Sequence, residues 1–125
     1  MLTHTFNQSV VIANGGHQPA LVRRRDGTFE EIAAEAPPLG ILPDVEFPSR
    51  EVRLRNDSMY LYTDGISESE GPDGTQLDSE GLKLMLESSA CTQASERLPA
   101  IIEAWRRTGH ETHDDITLLL VELAQ

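Results

Sequence analysis

The sequence predicts an α+β fold in which helices pack on one side of a largely antiparallel sheet. Short strand-like runs recur through the first 63 residues, two helical patterns follow, and an apolar run closes the chain. The 125 residues are enough for one ordinary domain, which we place over residues 1–125. The hydrophobic content of 38% is low for that length, so either the domain is marginally stable or part of its core comes from chain outside this sequence.

Strands in the first part of the chain are indicated by β-branched and apolar residues between turn formers. Residues 20–25 and 28–32 flank Asp26–Gly27, a common hairpin turn, and together they predict a β-hairpin. Residues 7–14 predict an earlier strand that ends in a run of turn-forming residues.

Two further strands lead to the middle of the chain. Residues 50–54 alternate between polar and apolar side chains, as a half-buried strand does. Residues 59–63 predict a short strand that is buried on both faces. Because only the turn sequence Asn56–Asp57–Ser58 separates them, we expect these two strands to form an antiparallel pair.

Two amphipathic helices are predicted next. The first covers residues 80–88 and takes its N-cap from residues 78–79. The second starts near Glu96 or is kinked, because Pro99 is tolerated only in a first turn, and Gly109 ends it. The apolar positions that define the two faces are Leu82, Met85 and Leu86 in the first helix and Leu98, Ile101, Ile102 and Trp105 in the second.

The composition excludes several classes of function. A formal charge of −11 argues against nucleic-acid binding, which needs a basic face. No run approaches the roughly 18 apolar residues of a membrane span, and no signal peptide opens the chain. The single cysteine, Cys91, excludes an internal disulfide and fits a reducing compartment. We therefore expect a cytoplasmic protein.

Carboxylates lie at the ends of two buried strand-like runs. Asp64 directly follows residues 59–63 and forms a predicted turn with Gly65, and Asp114 and Asp115 come just before the apolar run 116–121. If the two strands are antiparallel neighbours, these acids converge at one edge of the sheet. Two carboxylates about 4 Å apart repel by about 4 kcal/mol at an effective dielectric of about 20, and a divalent cation would turn that repulsion into binding. For most of the other acidic residues, solubility is the simpler explanation.

Four motifs in order resemble those of one known family. Asn14–Pro19 is similar to its Ala-Gly-His-Asn-Pro motif, and Pro38–Gly40 is similar to its Pro-Leu-Gly turn. Tyr62–Glu68 resembles Tyr-Thr-Asp-Gly-Val-Thr-Glu, and Asp114–Thr117 resembles the closing Asp-Asp-Ile-Thr. In order and spacing these motifs resemble the SpoIIE/RsbU-like branch of the metal-dependent (PPM) serine/threonine phosphatases, and the resemblance runs from about residue 10 to residue 123.

The resemblance implies a PPM-type α/β/β/α sandwich with a binuclear Mn²⁺ or Mg²⁺ site at one end. It implies that Asp64 and Asp114 are metal ligands and that the adjacent Asp115 supports them. It also implies a phosphoprotein substrate, namely a regulator of the anti-anti-sigma type. The weaker site candidates are Gly65, Glu68 and His17, of which His17 more simply makes a structural hydrogen bond at its turn.

No segment matches the family's first-half motif Asp-x-Ser-Gly-His-Gly, whose Asp bridges the two metals. The resemblance therefore covers the C-terminal half of the family's domain, and we expect the N-terminal half of the site to be missing from this chain. The alternative is a non-catalytic phosphatase-like module that binds a partner or self-associates as a homodimer through the face that the missing half covers.

His110 and His113 suggest a third, transition-metal site. In a helix their i, i+3 spacing would place both imidazoles on one face. Gly109 and the strand that follows favour a loop with exposed histidines instead.

Overall fold

The computed structural model describes residues 2–6, 9–13, 18–33, 50–88, 93–112 and 115–123. In these ranges the chain forms seven strands and three helices, and it divides into two compact units, residues 1–61 with 121–125 and residues 62–120. The elements are β1 (Leu2–Phe6), β2 (Ser9–Ala13), β3 (Ala20–Arg23), β4 (Phe29–Ile32), β5 (Arg50–Arg53), β6 (Ser58–Tyr62), α1 (Asp64–Ser67), α2 (Asp78–Ser88), α3 (Ala94–Arg107) and β7 (Leu118–Val121).

The strands form two sheets, with the orders β1-β2-β5 and β4-β3-β6-β7. The predicted hairpin is confirmed, because β3 and β4 pair antiparallel with Ala20 opposite Ile32. Antiparallel sheets together with helices confirm the predicted α+β class. No helix in the described part of the chain is long and apolar enough to cross a bilayer.

The predicted pairing of residues 50–54 with residues 59–63 is wrong. β5 pairs with β2, and β6 pairs with β3, so the two strands belong to different sheets. The four residues between them, 54–57, form a corner that connects the two sheets and do not close a hairpin.

The corner is fixed by the carboxylate of Asp57. It accepts hydrogen bonds from the backbone N–H groups of Arg25 (2.7 Å) and Arg55 (2.9 Å), and from Nη1 of Arg24 (3.3 Å). Asn56 adopts a left-handed conformation with φ of 60°. Because Asp57 binds the β3–β4 turn as well as its own segment, the chain leaves β5 toward the second sheet. Asp57 and Glu30 together raise the pKa of Arg24.

The core of the first unit contains side chains from both sheets in one cluster. Leu61, Val121 and Leu123 pack against this cluster and are partly buried. Its members are Val10, Ile12, Ala20, Val22, Ile32, Val52, Leu54 and Met59. The inward positions predicted for residues 50–54, Val52 and Leu54, are confirmed.

In the second unit α2 forms as predicted. Oδ1 of Asp78 accepts hydrogen bonds from the backbone N–H groups of Glu80 (2.9 Å) and Gly81 (3.1 Å), so Asp78 caps the helix. The face of Leu82, Met85 and Leu86 is buried, as the spacing predicts.

The third helix starts at Ala94, two residues before the predicted Glu96, so Pro99 lies inside it. It ends at Arg107, and Gly109 follows with φ of 76°, as predicted. Trp105, assigned to the core from its spacing, is half-buried.

Three local features differ from the sequence predictions. The strand β1 was not predicted. The turn expected at Asp64–Gly65 is instead the single helical turn α1. The last strand was expected to be buried, but β7 lies at the end of its sheet and Leu119 is 52% exposed. An edge strand has a neighbour on one side alone, which explains its partial burial.

Candidate metal centre

The end of β6 and the segment before β7 are joined by hydrogen bonds. The backbone N–H of Thr63 donates to the carbonyl of Thr117 (3.1 Å), and the Thr117 N–H donates to Oγ1 of Thr63 (3.1 Å). The Thr63 hydroxyl also lies 3.4 Å from the carbonyl of Asp115. The exit of β6 and the segment that leads into β7 therefore lie side by side, and the convergence of Asp64 with Asp114 or Asp115 stays a prediction.

Asp64 begins α1 directly after this junction. Its carbonyl accepts hydrogen bonds from the N–H of Glu68 (2.8 Å) and the hydroxyl of Ser67 (3.5 Å), so its backbone is fixed within the helical turn. The side chain is exposed, whereas Gly65 and Ile66 are buried. An exposed carboxylate on a backbone that is anchored by buried neighbours can act as a rigidly positioned metal ligand.

A cleft of about 720 Å³ opens beside Asp64. Besides Asp64 its lining contains three more carboxylate side chains, those of Glu68, Glu70 and Glu111, and all four residues are exposed. The other lining residues are Gly65, Gly71, Pro72, Gln76, Gly109 and Thr112. The cleft therefore carries negative charge and hard oxygen donors.

Two segments distant in sequence form the wall of this cleft. Glu70 and Glu111 exchange both backbone hydrogen bonds, each 2.9 Å long. Nε1 of Trp105 donates to Oγ of Ser69 (2.9 Å), and the Ser69 hydroxyl donates to the carbonyl of Ile66 (2.6 Å). These contacts tie helix α3 to the segment that follows α1.

A turn of residues 71–75 packs against the end of α3. A Cβ placed on Gly109 would lie 2.9 Å from Cγ of Pro72, so glycine is what permits this close approach. The hydrogen bond from the N–H of Thr75 (3.0 Å) lowers the pKa of Asp73, and the nearby His110 lowers it further. Nδ1 of His110 is 2.6 Å from the hydroxyl of Thr108.

The oxygen atoms that line the cleft are of the type that a hard cation needs, because carboxylate oxygens are the ligands that Mg²⁺ and Mn²⁺ prefer. In number they do not suffice, since among the described residues no group of three His, Cys, Asp or Glu side chains could hold a metal ion. Asp114, His17 and His113 lie outside the described residues. His110 follows the end of α3 and is not helical, so the loop that the sequence favours is confirmed at His110 and the helical i, i+3 arrangement has no basis there.

Sequence reasoning did not assign Thr63, Glu70 or Glu111 to the site. Glu70 and Glu111 are 41 positions apart, and nothing in their local sequence indicates that they pair. Thr63 could have been singled out from the sequence, because a threonine at the end of an apolar strand has a hydroxyl that needs a hydrogen-bond partner.

Several solved structures share the fold of this chain. The SiaA-PP2C domain of Pseudomonas aeruginosa superposes with a TM-score of 0.74 at 20% identity, covering 94% of this chain and 47% of that one. The Mn-presoaked phosphatase domain of SpoIIE from Bacillus subtilis gives 0.71 at 21% identity, over 99% of this chain and 55% of that one. The RsbU and RsbW domains of Rv1364c from Mycobacterium tuberculosis superpose with a TM-score of 0.69 at 28% identity, covering 90% of this chain and 32% of that one. The fold is that of a bacterial PP2C phosphatase domain.

The sequence comparison agrees. The model of the family described as Stage II sporulation protein E (SpoIIE) matches residues 1–124, and the chain belongs to this family. Phosphoserine phosphatase RsbP of Bacillus subtilis (strain 168) is 38% identical over 60 residues, which are 47% of this chain and 15% of RsbP. The chain thus spans about half, or less, of the relatives it matches.

Proposed function

We propose that this chain forms one side of the active site of a metal-dependent serine/threonine protein phosphatase, with Asp64 and Asp114 as ligands of Mn²⁺ or Mg²⁺. The observation that carries the proposal is the junction of Thr63 with residues 115–117. It joins the residue before Asp64 to the segment that directly follows Asp114. When bound, such an ion polarises the phosphoryl group and activates a water molecule.

The chain's own residues explain why catalysis here depends on a cation. A phosphate ester is anionic, and the side chains of Asp64, Glu68, Glu70 and Glu111 give the cleft a negative potential. Without a cation the substrate is repelled. A cation bound by Asp64 would offset this negative charge and attract the phosphate. Asp115, next to Asp114 in the chain, supports the site through its carbonyl contact with Thr63.

The substrate that we propose is phosphoserine or phosphothreonine on a regulatory protein of the anti-anti-sigma type. Membership of the SpoIIE family and the similarity to a phosphoserine phosphatase support this reaction class. The ligands that this chain does not supply are proposed to come from the other half of the family's domain, because the chain spans 47% and 55% of two such domain structures.

The test is the affinity for Mn²⁺ of the wild-type chain and of Asp64→Asn, because the chain does not supply every ligand that turnover needs. We expect the substitution to weaken Mn²⁺ binding by at least about 10-fold, because it removes a charged ligand. Asp26→Asn is the matched control, since Asp26 is an exposed turn carboxylate of the first unit that accepts a hydrogen bond from Thr28 (3.0 Å). Equal affinities for Asp64→Asn and Asp26→Asn would contradict the assignment of Asp64.

A second candidate function is a non-catalytic module that binds a partner or self-associates. The observation that favours it is the exposure of two large apolar side chains of the second unit, Leu84 at 75% and Leu119 at 52%. Light scattering distinguishes this candidate: a homodimer that dissociates on Leu119→Glu supports it, and a monomer at all concentrations contradicts self-association.

A further inference from the structure

The hydroxyl of Thr63 accepts a hydrogen bond that the backbone carbonyl of Thr63 would accept in a regular antiparallel ladder. In an antiparallel ladder, two directly opposite residues exchange two N–H···O=C bonds. Thr63 and Thr117 make the first of these in the normal way, with the Thr63 N–H donating to the Thr117 carbonyl (3.1 Å). The second is altered, because the Thr117 N–H donates to Oγ1 of Thr63 (3.1 Å).

The carbonyl that the hydroxyl replaces has a different partner. It accepts a hydrogen bond from the N–H of Ile66 (3.2 Å), which starts the helical turn α1. The hydroxyl therefore lets the chain turn from strand to helix at Asp64 without leaving the Thr117 N–H unpaired. The same hydroxyl reaches the carbonyl of Asp115 at 3.4 Å, so one side chain contacts both segments that bear the acids.

We infer that Thr63 is a positioning residue that sets the spacing between Asp64 and the segment 115–117, which directly follows Asp114 in the chain. This role rests on the proposed function, since it concerns the ligands proposed there. Thr63 bears no charge and does not line the acidic cleft, so it acts through its neighbours. Removing a residue that orients metal ligands typically weakens metal affinity by about 10–100-fold.

The test is the affinity of the full chain for Mn²⁺, measured by electron paramagnetic resonance of the free ion. Thr63→Val removes the hydroxyl and keeps the side-chain shape, whereas Thr63→Ser keeps the hydroxyl. Thr28→Val is the control, because it removes the hydroxyl that Thr28 donates to Asp26 (2.7 Å) in the first unit. Asp64→Asn reports whether the proposed site binds the ion at all.

We expect Thr63→Val to bind Mn²⁺ about 10–100-fold more weakly than wild type. We expect the Mn²⁺ affinity of Thr63→Ser to stay within about 3-fold of wild type and that of Thr28→Val to be unchanged, because both variants keep a hydroxyl at position 63. Hydrogen exchange at the Thr117 amide, measured without metal, should be faster in Thr63→Val alone among these variants, because that amide loses its acceptor.

Two results would overturn the positioning role while leaving the proposed function intact. In the first, Thr63→Val binds Mn²⁺ within about 2-fold of wild type, which is on the order of assay error, although Asp64→Asn has lost Mn²⁺ binding. The other is an equal loss in Thr63→Ser and Thr63→Val, which would assign the effect to packing. If Asp64→Asn binds Mn²⁺ as wild type does, the proposed function fails and the positioning role fails with it.

Discussion

Replacing Gly109 by alanine tests how the cleft wall is held against the end of α3. Gly109 has φ of 76°, and a Cβ there would lie 2.9 Å from Cγ and 3.4 Å from Cδ of Pro72. Gly74 is its natural comparison, because it has φ of 80° and a Cβ there would meet nothing within 4 Å. The two substitutions share the cost of a left-handed backbone and differ in the steric contact.

The left-handed conformation costs an L-residue roughly 1–2 kcal/mol, which applies to both positions. The contact with Pro72 adds an overpacking term, for which typical values are about 1–3 kcal/mol. Pro72 is exposed and its turn is able to shift, so the low end, about 1 kcal/mol, applies. Gly109→Ala should therefore lower the free energy of unfolding by about 1 kcal/mol more than Gly74→Ala.

The assay is urea unfolding of both variants and of each in a Pro72→Ala background. Pro72→Ala removes the ring carbons that an alanine at 109 would meet, so it should reduce the cost of Gly109→Ala to that of Gly74→Ala. The resulting coupling between positions 72 and 109 should be about 1 kcal/mol and absent between 72 and 74. Equal costs for the two glycines, or no rescue by Pro72→Ala, would refute the proposed packing.

Three further predictions concern the elements that carry the site. Asp57→Ala should lower the free energy of unfolding by about 3 kcal/mol and the melting temperature by about 10 °C, because two backbone amides and Arg24 lose a charged acceptor; calorimetry measures both. Trp105→Phe should lower the free energy of unfolding by about 1 kcal/mol through loss of the Ser69 bond, and in a Ser69→Ala background its effect should shrink in urea unfolding. Because the pKa of Asp73 is lowered from its ordinary value of 3.8, the carboxylate of Asp73 stabilises the fold at pH values above 3.8. This stabilisation is lost as the pH falls through the native pKa. Asp73→Asn should therefore be less stable than wild type at pH 6, and in acid unfolding the difference should start to shrink near pH 3.8 and vanish below the native pKa; a difference independent of pH would contradict this.

The sequence was sufficient where local pattern decides structure. The Asp26–Gly27 turn between β-branched runs predicted the β3–β4 hairpin, and the spacing of Leu82, Met85 and Leu86 predicted the buried face of α2. The junction of strand ends beside Asp64 was also predictable. Buried strands have few ways to pair, and an antiparallel neighbour brings exit and entrance to one edge.

Where long-range contacts decide, the sequence was not sufficient. A short turn between β5 and β6 normally closes a hairpin, but Asp57 binds the backbone of Arg25, 32 positions away, and the chain crosses to the other sheet. The pairing of Glu70 with Glu111 has no local signature either. For these features the deciding partner is distant in sequence, so no local window contains the information.

Asp64 and Asp114 are proposed to bind one divalent cation beside the junction of Thr63 with residues 115–117. Paramagnetic broadening of backbone amide signals by substoichiometric Mn²⁺ in the wild-type chain tests this binding site by position. We expect residues 64–66 and 115–117 to lose intensity first and together, and Asp64→Asn to abolish the effect at both segments. Broadening that affects one segment without the other, or that persists unchanged in Asp64→Asn, would rule out a shared ion.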